Sequence, residues 1–235
     1  MYMNGMPTRF TCNEILDRLR SMGDPKGVEG AARYGINAPN VWGVSAPKLR
    51  ALAKEIRRNH DLAAELWQTG VHDARILATL VDDPAQVTVK QMERWVLDFN
   101  SWAVCDAACC CLFDKTPHAW DKAVEWIDRE EEYVKRGGFV LMAALAVHDK
   151  KAPNERFEAF LPLIESHATD GRNFVKKAVN WALRQIGKRN RHLNKLAIQA
   201  GQRIRQIDSK AARWIAADAL RELAGDKVQA RLTRR

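Results

Sequence analysis

Apolar positions recur along most of the chain at the three- and four-residue spacing of an α-helix. Ile15, Leu16, Leu19 and Met22 form one such series, and similar series follow downstream. No stretch alternates apolar and polar residues between turn signals in the manner of a β-strand. The pattern therefore predicts an all-α protein.

Short helix-breaking sites divide this pattern at regular intervals. They are Asp24-Pro25, Ala38-Pro39, Ala46-Pro47, Asp83-Pro84, Thr116-Pro117, Ala152-Pro153, Gly171 and Asn190. They cut the chain into roughly a dozen helices of about 10–17 residues joined by short loops. A series of antiparallel pairs, roughly 35–40 residues each, is typical of a HEAT-like α-solenoid. A globular all-α bundle is the alternative.

Composition and length are those of an ordinary globular protein. The 235 residues are 46% hydrophobic and 29% charged, which suffices for a real core. No linker rich in Pro, Gly or Ser occurs, so we expect one domain over residues 1–224 and a frayed basic tail over residues 225–235. No signal peptide and no stretch of ~18 uncharged apolar residues is found, so we expect a cytoplasmic protein without a membrane partner.

Four of the five cysteines fall within seven residues. They are Cys105, Cys109, Cys110 and Cys111, and the fifth is Cys12. An odd, clustered set without a secretion signal is typical of reduced thiols in a cytosol. Cys105 and Cys109 could share a helix face and bind a metal. Because no His or Cys stands at zinc-finger spacing, we favour helix packing and predict no metal site.

Positive charge is concentrated in one segment. Between Arg172 and Arg213 there are twelve Lys or Arg residues and one acid, Asp208, a net charge of +11. The whole chain carries +9, so the remainder sums to −2. Such a field indicates a polyanion partner, most often nucleic acid. A solvated basic face is the alternative.

The helix predicted from about Arg172 to Gly187 carries a tryptophan on its basic side. Its apolar arc is formed by Val175, Ala178, Val179, Ala182, Leu183 and Ile186. Lys177, Arg184 and Lys188 fall on the opposite arc, next to Trp181. The cations could bind phosphates while the indole faces a sugar or base. Alternatively, Trp181 packs under a neighbouring helix.

The helix predicted from Ser101 to Phe113 presents a carboxylate beside an aromatic ring. Its expected apolar arc comprises Val104, Ala107, Ala108, Cys111 and Leu112. Trp102, Asp106, Cys109 and Phe113 run along the opposite arc, with Trp102 and Asp106 one turn apart. Asp106 is therefore a candidate site acid, tuned by desolvation or left anionic to stabilise a cation. A solvated surface aspartate is the alternative.

A third segment predicts a fully buried helix. From Gly137 to Val147 the sequence is apolar all round, and Gly137-Gly138 would permit close backbone approach. Arg136 directly precedes this apolar stretch, in the first turns of the predicted helix. An arginine at such a position usually has a fixed anionic partner, either a nearby Asp or a phosphate.

Four segments resemble, in order, those of the DNA alkylation repair family, the HEAT-like-repeat alkylpurine DNA glycosylases. Residues 100–106 resemble its SW-x-x-x-D motif, residues 134–136 its L-R-R segment and residues 174–184 its F-[IV]-x-K-A-[IV]-x-W-x-L-R segment. Tyr34 precedes Gly43-Val44-Ser45-Ala46-Pro47 much as the family's tyrosine precedes a G-[IV]-x-x-P turn. The resemblance spans about residues 30–200.

The resemblance implies a single curved solenoid whose function is DNA repair. It implies hydrolysis of the N-glycosidic bond of cationic N3- or N7-alkylated purines in duplex DNA, without a base-binding pocket. Such a base leaves without a general acid, so the task is to stabilise the oxocarbenium ion on the deoxyribose. That role falls to Asp106, which would also orient water, with Trp102 and Trp181 lining the sugar. No metal or redox cofactor is implied.

The resemblance also implies a concave basic face that grips the DNA backbone. Arg136 would hold a phosphate near the lesion. Further DNA contacts are expected from Tyr34, Lys177, Arg184, Lys188, Arg189 and Arg191. The expected partner is double-stranded DNA containing alkylated purines, and we expect a monomer.

Several residues depart from the family pattern. Lys135 replaces an arginine, Gly137-Gly138 replaces bulkier residues, and Cys109-Cys110-Cys111 has no counterpart. Some family members bind DNA without measurable base excision, so the fold does not guarantee the chemistry. The alternatives are therefore a non-catalytic reader of DNA structure and a scaffold for acidic protein partners.

Overall fold

The computed structural model describes residues 10–38 and 40–234, and within them it is all helical. Those residues form fifteen α-helices and two short 3-10 turns, with no strand. The all-α prediction is confirmed. Pro39, one of the predicted breaks, lies outside the described residues. No helix in the described part of the chain is both long and apolar enough to cross a membrane.

The chain divides into two compact units between Trp95 and Val96. The first unit holds α1 (Cys12–Met22), α2 (Pro25–Arg33), α3 (Ala46–Ile56), α4 (His60–Gln68), α5 (His72–Val81) and most of α6 (Val89–Leu97). Pro25 and Pro47 stand in the first turns of α2 and α3, where a missing N–H breaks no helical hydrogen bond. In the core of this unit α5 packs against α1, α3 and α4.

The turn before α3 is rigid. Gly43 has a φ of +77°, and a Cβ there would lie 2.4 Å from the Asp24 carbonyl oxygen, so only glycine fits. The buried carboxylate of Asp73 accepts hydrogen bonds from the Trp42 and Val44 amides, each at 2.8 Å. The Gly-Val-Ser-Ala-Pro segment is thus held from both sides.

The second unit continues the helical series. It holds α7 (Trp102–Cys111), α8 (Ala119–Glu125), α9 (Glu132–His148), α10 (Asn154–Glu158), α11 (Phe160–Ser166), α12 (Asn173–Gly187), α13 (Arg191–Gln206), α14 (Lys210–Leu223) and α15 (Asp226–Thr233). Its 3-10 turns span Phe113–Lys115 and Trp126–Asp128.

Helices α7, α9, α12 and α14 form one layer of parallel neighbours within this unit. The Cys105 and Cys109 thiols of α7 donate to the Tyr133 and Gly137 carbonyls of α9, so both helices advance in the same direction. Helix α12 packs in turn against α9 and α14. The intervening helices return antiparallel and form the second layer, with α13 against α10 and α11. This is the predicted α-solenoid of antiparallel helix pairs.

Helix α9 is the central element of the second unit. Of the stretch predicted to be buried, residues 137–146 are all buried and Val147 is exposed. A Cβ on Gly138 would lie 2.7 Å from the Ile127 side chain and 2.9 Å from its backbone nitrogen. Glycine at this position therefore allows the close approach of helix and turn.

The chain end is not the frayed tail that the sequence predicted. Residues 226–233 form α15, and Val228 and Leu232 are buried on one face at i, i+4 spacing. Gln229 donates to the Leu223 carbonyl at 2.6 Å. These apolar contacts order the segment despite its charge.

Candidate functional site

The second unit contains a buried ion pair between α7 and α9. Arg136 donates from Nε to Asp106 Oδ1 and from Nη2 to Oδ2, both at 2.8 Å. The third guanidinium nitrogen, Nη1, donates to the Phe174 carbonyl of α12 at 2.6 Å. This planar, bidentate arrangement fixes the carboxylate and ties three neighbouring helices together.

The surroundings of this pair set its electrostatics. The Arg136 side chain is 7% exposed and that of Asp106 is 20% exposed. Burial raises the pKa of Asp106 above its ordinary value, and Arg136 offsets only part of that rise. Burial alone would lower the pKa of Arg136, but the carboxylate reverses this and raises it. The result is a charged pair in a poorly solvated place, in which the Asp106 side chain is the more exposed of the two.

Two anionic partners were expected for Arg136, a nearby aspartate or a phosphate, and the structure shows an aspartate. Its guanidinium group binds Asp106 and a backbone carbonyl, so its expected role as a phosphate contact changes to that of holding Asp106. Asp106 is likewise not a solvated surface aspartate. The bidentate pair could not have been placed from the sequence, because its members are 30 residues apart.

Each member of the pair has an aromatic residue one helical turn before it. Ser101 caps α7 by accepting from the Val104 amide at 3.3 Å, which places Trp102 at the first turn, one turn before Asp106. Trp102 is half-buried, as is Trp181 on α12. Tyr133, which the sequence reasoning missed, lies one turn before Arg136, and its ring contacts that of Phe174 at 5.6 Å. Tyr133 could have been found from its i, i+3 spacing to Arg136.

The predicted faces of α7 need correction. Cys109 and Phe113, placed opposite the core, are fully buried. Ala107 and Cys111, placed in the core, are only half-buried. The reason is that α9 covers a second side of α7 and receives the thiols of Cys105 and Cys109. Phe113 belongs to the following 3-10 turn, where helical angles no longer apply.

Burial makes two thiols of the cluster hard to ionise. Burial raises the pKa of both Cys109 and Cys110 well above the ordinary thiol value. Among the described residues, no group of three metal-ligating side chains occurs. Cys105 and Cys109 are therefore small residues that let α7 approach α9.

The apolar arc predicted for α12 is confirmed, since all six of its residues are fully buried. On the opposite arc only Lys177 is exposed. Lys188 binds Glu222 of α14 at 2.7 Å, and Arg184 binds the same carboxylate. Burial would raise the pKa of Glu222, but hydrogen bonds from Lys188 and Arg184 lower it below its ordinary value. Two of the predicted phosphate contacts are thus neutralised within the protein.

Two further predicted phosphate contacts bind backbone carbonyls. Arg189 donates to Ala146 and Ala152 at 3.2 and 2.9 Å. Arg191 donates to the Leu232 carbonyl at 3.1 Å. These bonds hold the two side chains in place but leave their positive charges intact, so their expected contacts with DNA stay predictions.

In the folded protein, the segment from Arg172 to Arg213 presents less positive charge than its sequence count suggests. Arg172 binds Asp170, Arg203 binds Glu165 and Arg213 binds Asp208. Most of these acids, like Glu222, lie outside the window from Arg172 to Arg213, where the sequence count could not include them. Lys177, Lys195, Arg205 and Lys210 are exposed.

Tyr34 belongs to the first unit. It caps the C-terminus of α2 and is 75% exposed. The rigid Gly43 turn follows it in the chain. Its expected contact with DNA stays a prediction.

Comparison with known proteins yields one family and several relatives. A family model described as "DNA alkylation repair enzyme" matches residues 15–223. Uncharacterized protein Lin0241 of Listeria innocua is 24% identical over 204 residues, covering 84% of this chain and 88% of that protein. Uncharacterized protein Lmo0209 of Listeria monocytogenes is 24% identical over 136 residues, covering 55% of this chain and 60% of that protein.

The fold is shared with a solved structure. It is described as "a new family of proteins related to the HEAT-like repeat DNA glycosylases with affinity for branched DNA structures". The TM-score is 0.76 at 19% sequence identity, covering 91% of this chain and 95% of that one. At this identity the likeness supports the HEAT-like α-solenoid.

Proposed function

Because the chain belongs to the DNA alkylation repair enzyme family, we propose that it is a DNA glycosylase. Its substrates are cationic N3- or N7-alkylated purines in duplex DNA, and it hydrolyses their N-glycosidic bond. The observation that supports this most is the Asp106 carboxylate, which Arg136 holds in a largely buried position while its side chain stays 20% exposed.

The chemistry suits a carboxylate without a general acid. An alkylated purine that already carries a positive charge is a good leaving group, so the barrier lies in the oxocarbenium ion that develops on the deoxyribose. A fixed anion in a poorly solvated place stabilises that cation more strongly than it would in water. Asp106 is such an anion.

Asp106 retains the capacity to act while it is paired. An ionised carboxylate offers about four lone-pair positions, and the two hydrogen bonds from Arg136 use two of them. The remaining two can face the sugar and orient the attacking water. Arg136 is then a positioning residue, because it holds the carboxylate and opposes its protonation without touching the substrate.

The other residues have supporting roles. Trp102 and Trp181 would line the sugar, with ring faces that favour cationic character. Lys177, exposed on α12, would contact a backbone phosphate. No step requires a metal or redox cofactor.

The test is single-turnover release of 7-methylguanine from a defined duplex by the wild type and by Asp106→Asn. We expect wild-type release and a loss of about 10²–10³-fold in the variant, with DNA affinity within a few-fold. Glu222→Gln is the matched control, because it also removes a carboxylate from an ion pair between helices. Equal rates for wild type and Asp106→Asn would remove Asp106 from the mechanism.

A second candidate is a non-catalytic reader of DNA structure. Two observations favour it: both Asp106 oxygens already bind Arg136, as in a purely structural pair, and the solved structure of the same fold is described as having affinity for branched DNA. Tight DNA binding without release by either protein would select this function.

A further inference from the structure

Trp214 on α14 is exposed to an unusual degree. It is 41% exposed, whereas every other tryptophan of the described residues is buried or half-buried. Large aromatic side chains bury much apolar area when they fold into a core. A surface indole beside cations offers a flat face on which nucleic-acid bases stack.

The ring stands among positive charges. Lys176 of α12 places its Nζ 4.9 Å from the ring centroid. Lys210, exposed one turn earlier on α14, and exposed Lys177 add to the field. The acid one turn further on, Asp218, binds Arg221 and contacts Arg184. A flat apolar face framed by lysines fits an anionic ligand that also has an aromatic ring.

We propose that Trp214 and Lys176 form a stacking site for an unpaired nucleobase of the bound DNA. This rests on the proposed function only in requiring that the protein bind DNA. A base inside a duplex is covered on both faces by its neighbours, so only an unpaired base can offer a face to the indole. Lysine binds the adjoining phosphate while the ring stacks, which is how single strands are commonly held.

The solenoid fixes where this base would lie. Helix α14 is three positions beyond α7 in the parallel layer α7, α9, α12 and α14. At 8–10 Å between neighbouring axes, Trp214 stands roughly 25–30 Å from Asp106. At 3.4 Å per nucleotide of a strand, this corresponds to about eight nucleotides. The preferred DNA is therefore a duplex whose strand becomes single about eight nucleotides from the damaged base.

The experiment compares a blunt duplex with one carrying a single-stranded extension, made in both polarities, with 2-aminopurine in the extension. We expect the wild type to bind one extended duplex about 5- to 100-fold more tightly and to quench 2-aminopurine on stacking. Trp214→Ala should lose that gain and the quenching while binding the blunt duplex normally. Trp214→Phe should keep most of both. Leu97→Ala, which also truncates an exposed apolar side chain, is the control.

Three results would overturn the inference. Wild-type affinity could be equal for blunt and extended duplexes, Trp214→Ala could weaken both alike, or it could change the oligomeric state and so mark an interface between copies. Excision is measured separately on the same DNA. A protein that prefers the extension but releases no base would disprove the glycosylase and leave the stacking site intact.

Discussion

Asp106 and Glu222 of the second unit each bind cations on a neighbouring parallel helix, and the two carboxylates differ in surroundings. Asp106 of α7 binds the single cation Arg136, whose side chain is 7% exposed. Glu222 of α14 binds Arg184 and Lys188, which are 28% and 15% exposed. The pKa of Asp106 is raised by burial, whereas that of Glu222 is lowered by its two partners.

The difference shows why similar ion pairs suit different tasks. A carboxylate with one cation in a poorly solvated place keeps a strong local field, which can act on a sugar cation. A carboxylate between two cations is neutralised, so it joins helices and weakens the local attraction for phosphate. Burial and the number of cationic partners, not residue type, therefore set the local field of each carboxylate.

The largest expected difference between the two pairs is in stability. Arg136→Gln leaves a largely buried carboxylate without its cation, which should cost about 3 kcal/mol of unfolding free energy. Glu222→Gln alters a better-solvated cluster and should cost about 1 kcal/mol or less. Chemical denaturation of both variants measures this.

A double variant separates charge from packing. If the cost of Arg136→Gln comes from the stranded charge, Asp106→Asn in the same chain should recover part of it. Additive losses would mean that the Arg136 side chain stabilises the fold only through its packing and its bond to Phe174.

The two carboxylates should also respond differently to pH. Because the pKa of Asp106 is raised, its charge is lost on acidification at a higher pH than that of an ordinary aspartate, about 3.9. The pKa of Glu222 is lowered, so its stabilisation is present above the ordinary glutamate value of about 4.3 and is lost as pH falls through the lowered one. On acidification, excision should therefore be lost at a higher pH than the stabilisation that Glu222 provides between α12 and α14.

Excision rate and thermal unfolding, each measured against pH, check this order. Arg136→Lys, which loses the bidentate geometry, should move the acid limb of the excision profile further upward in pH. Glu222→Gln should leave that limb in place. An acid limb at or below the range of an ordinary aspartate would contradict the role given to the buried carboxylate.

The sequence predicted the fold better than it predicted how the charged residues pair. Helical spacing identified α12 and its apolar arc correctly, since the six apolar residues of that arc are all fully buried. It failed on α7, where Cys109 and Phe113 are buried, since α7 is covered on more than one side and ends in a 3-10 turn. Angles along one helix cannot reveal how many neighbours it has.

The candidate site was predicted in its members but not in its pairings. Asp106 and Arg136 were both singled out, yet their ion pair joins two helices across 30 residues, which no local pattern encodes. The positive charge that the basic segment presents in the folded protein was overestimated for a similar reason. Glu222 and Asp218 follow the window that ends at Arg213, and they face its cations only after folding.

A smaller effect, on the salt dependence of DNA binding, should distinguish an exposed lysine from an arginine that is already bound within the protein. Lys177→Ala should weaken binding to all duplexes alike and reduce the slope of log K against log salt by about one, because one phosphate contact is lost. Arg191→Ala should reduce the slope less, since the Leu232 carbonyl holds the guanidinium group of this arginine in place. Titrations at several salt concentrations measure both. Equal slopes for the two variants, or a loss confined to one DNA sequence, would contradict the assignment of Lys177.

The smallest expected effect is a gain of DNA affinity. Glu222→Gln removes the charge that neutralises Arg184 and Lys188, so both cations become available to phosphates. We expect about 2- to 10-fold tighter binding to undamaged duplex and a salt slope steeper by up to about two. Asp61→Asn removes an exposed acid from the first unit and changes net charge equally, so it controls for the overall field. If Asp61→Asn tightens binding as much as Glu222→Gln, net charge explains the gain and the local cluster does not. If only Glu222→Gln tightens binding, Arg184 and Lys188 belong to the DNA-binding surface, and Glu222 limits how strongly that surface binds.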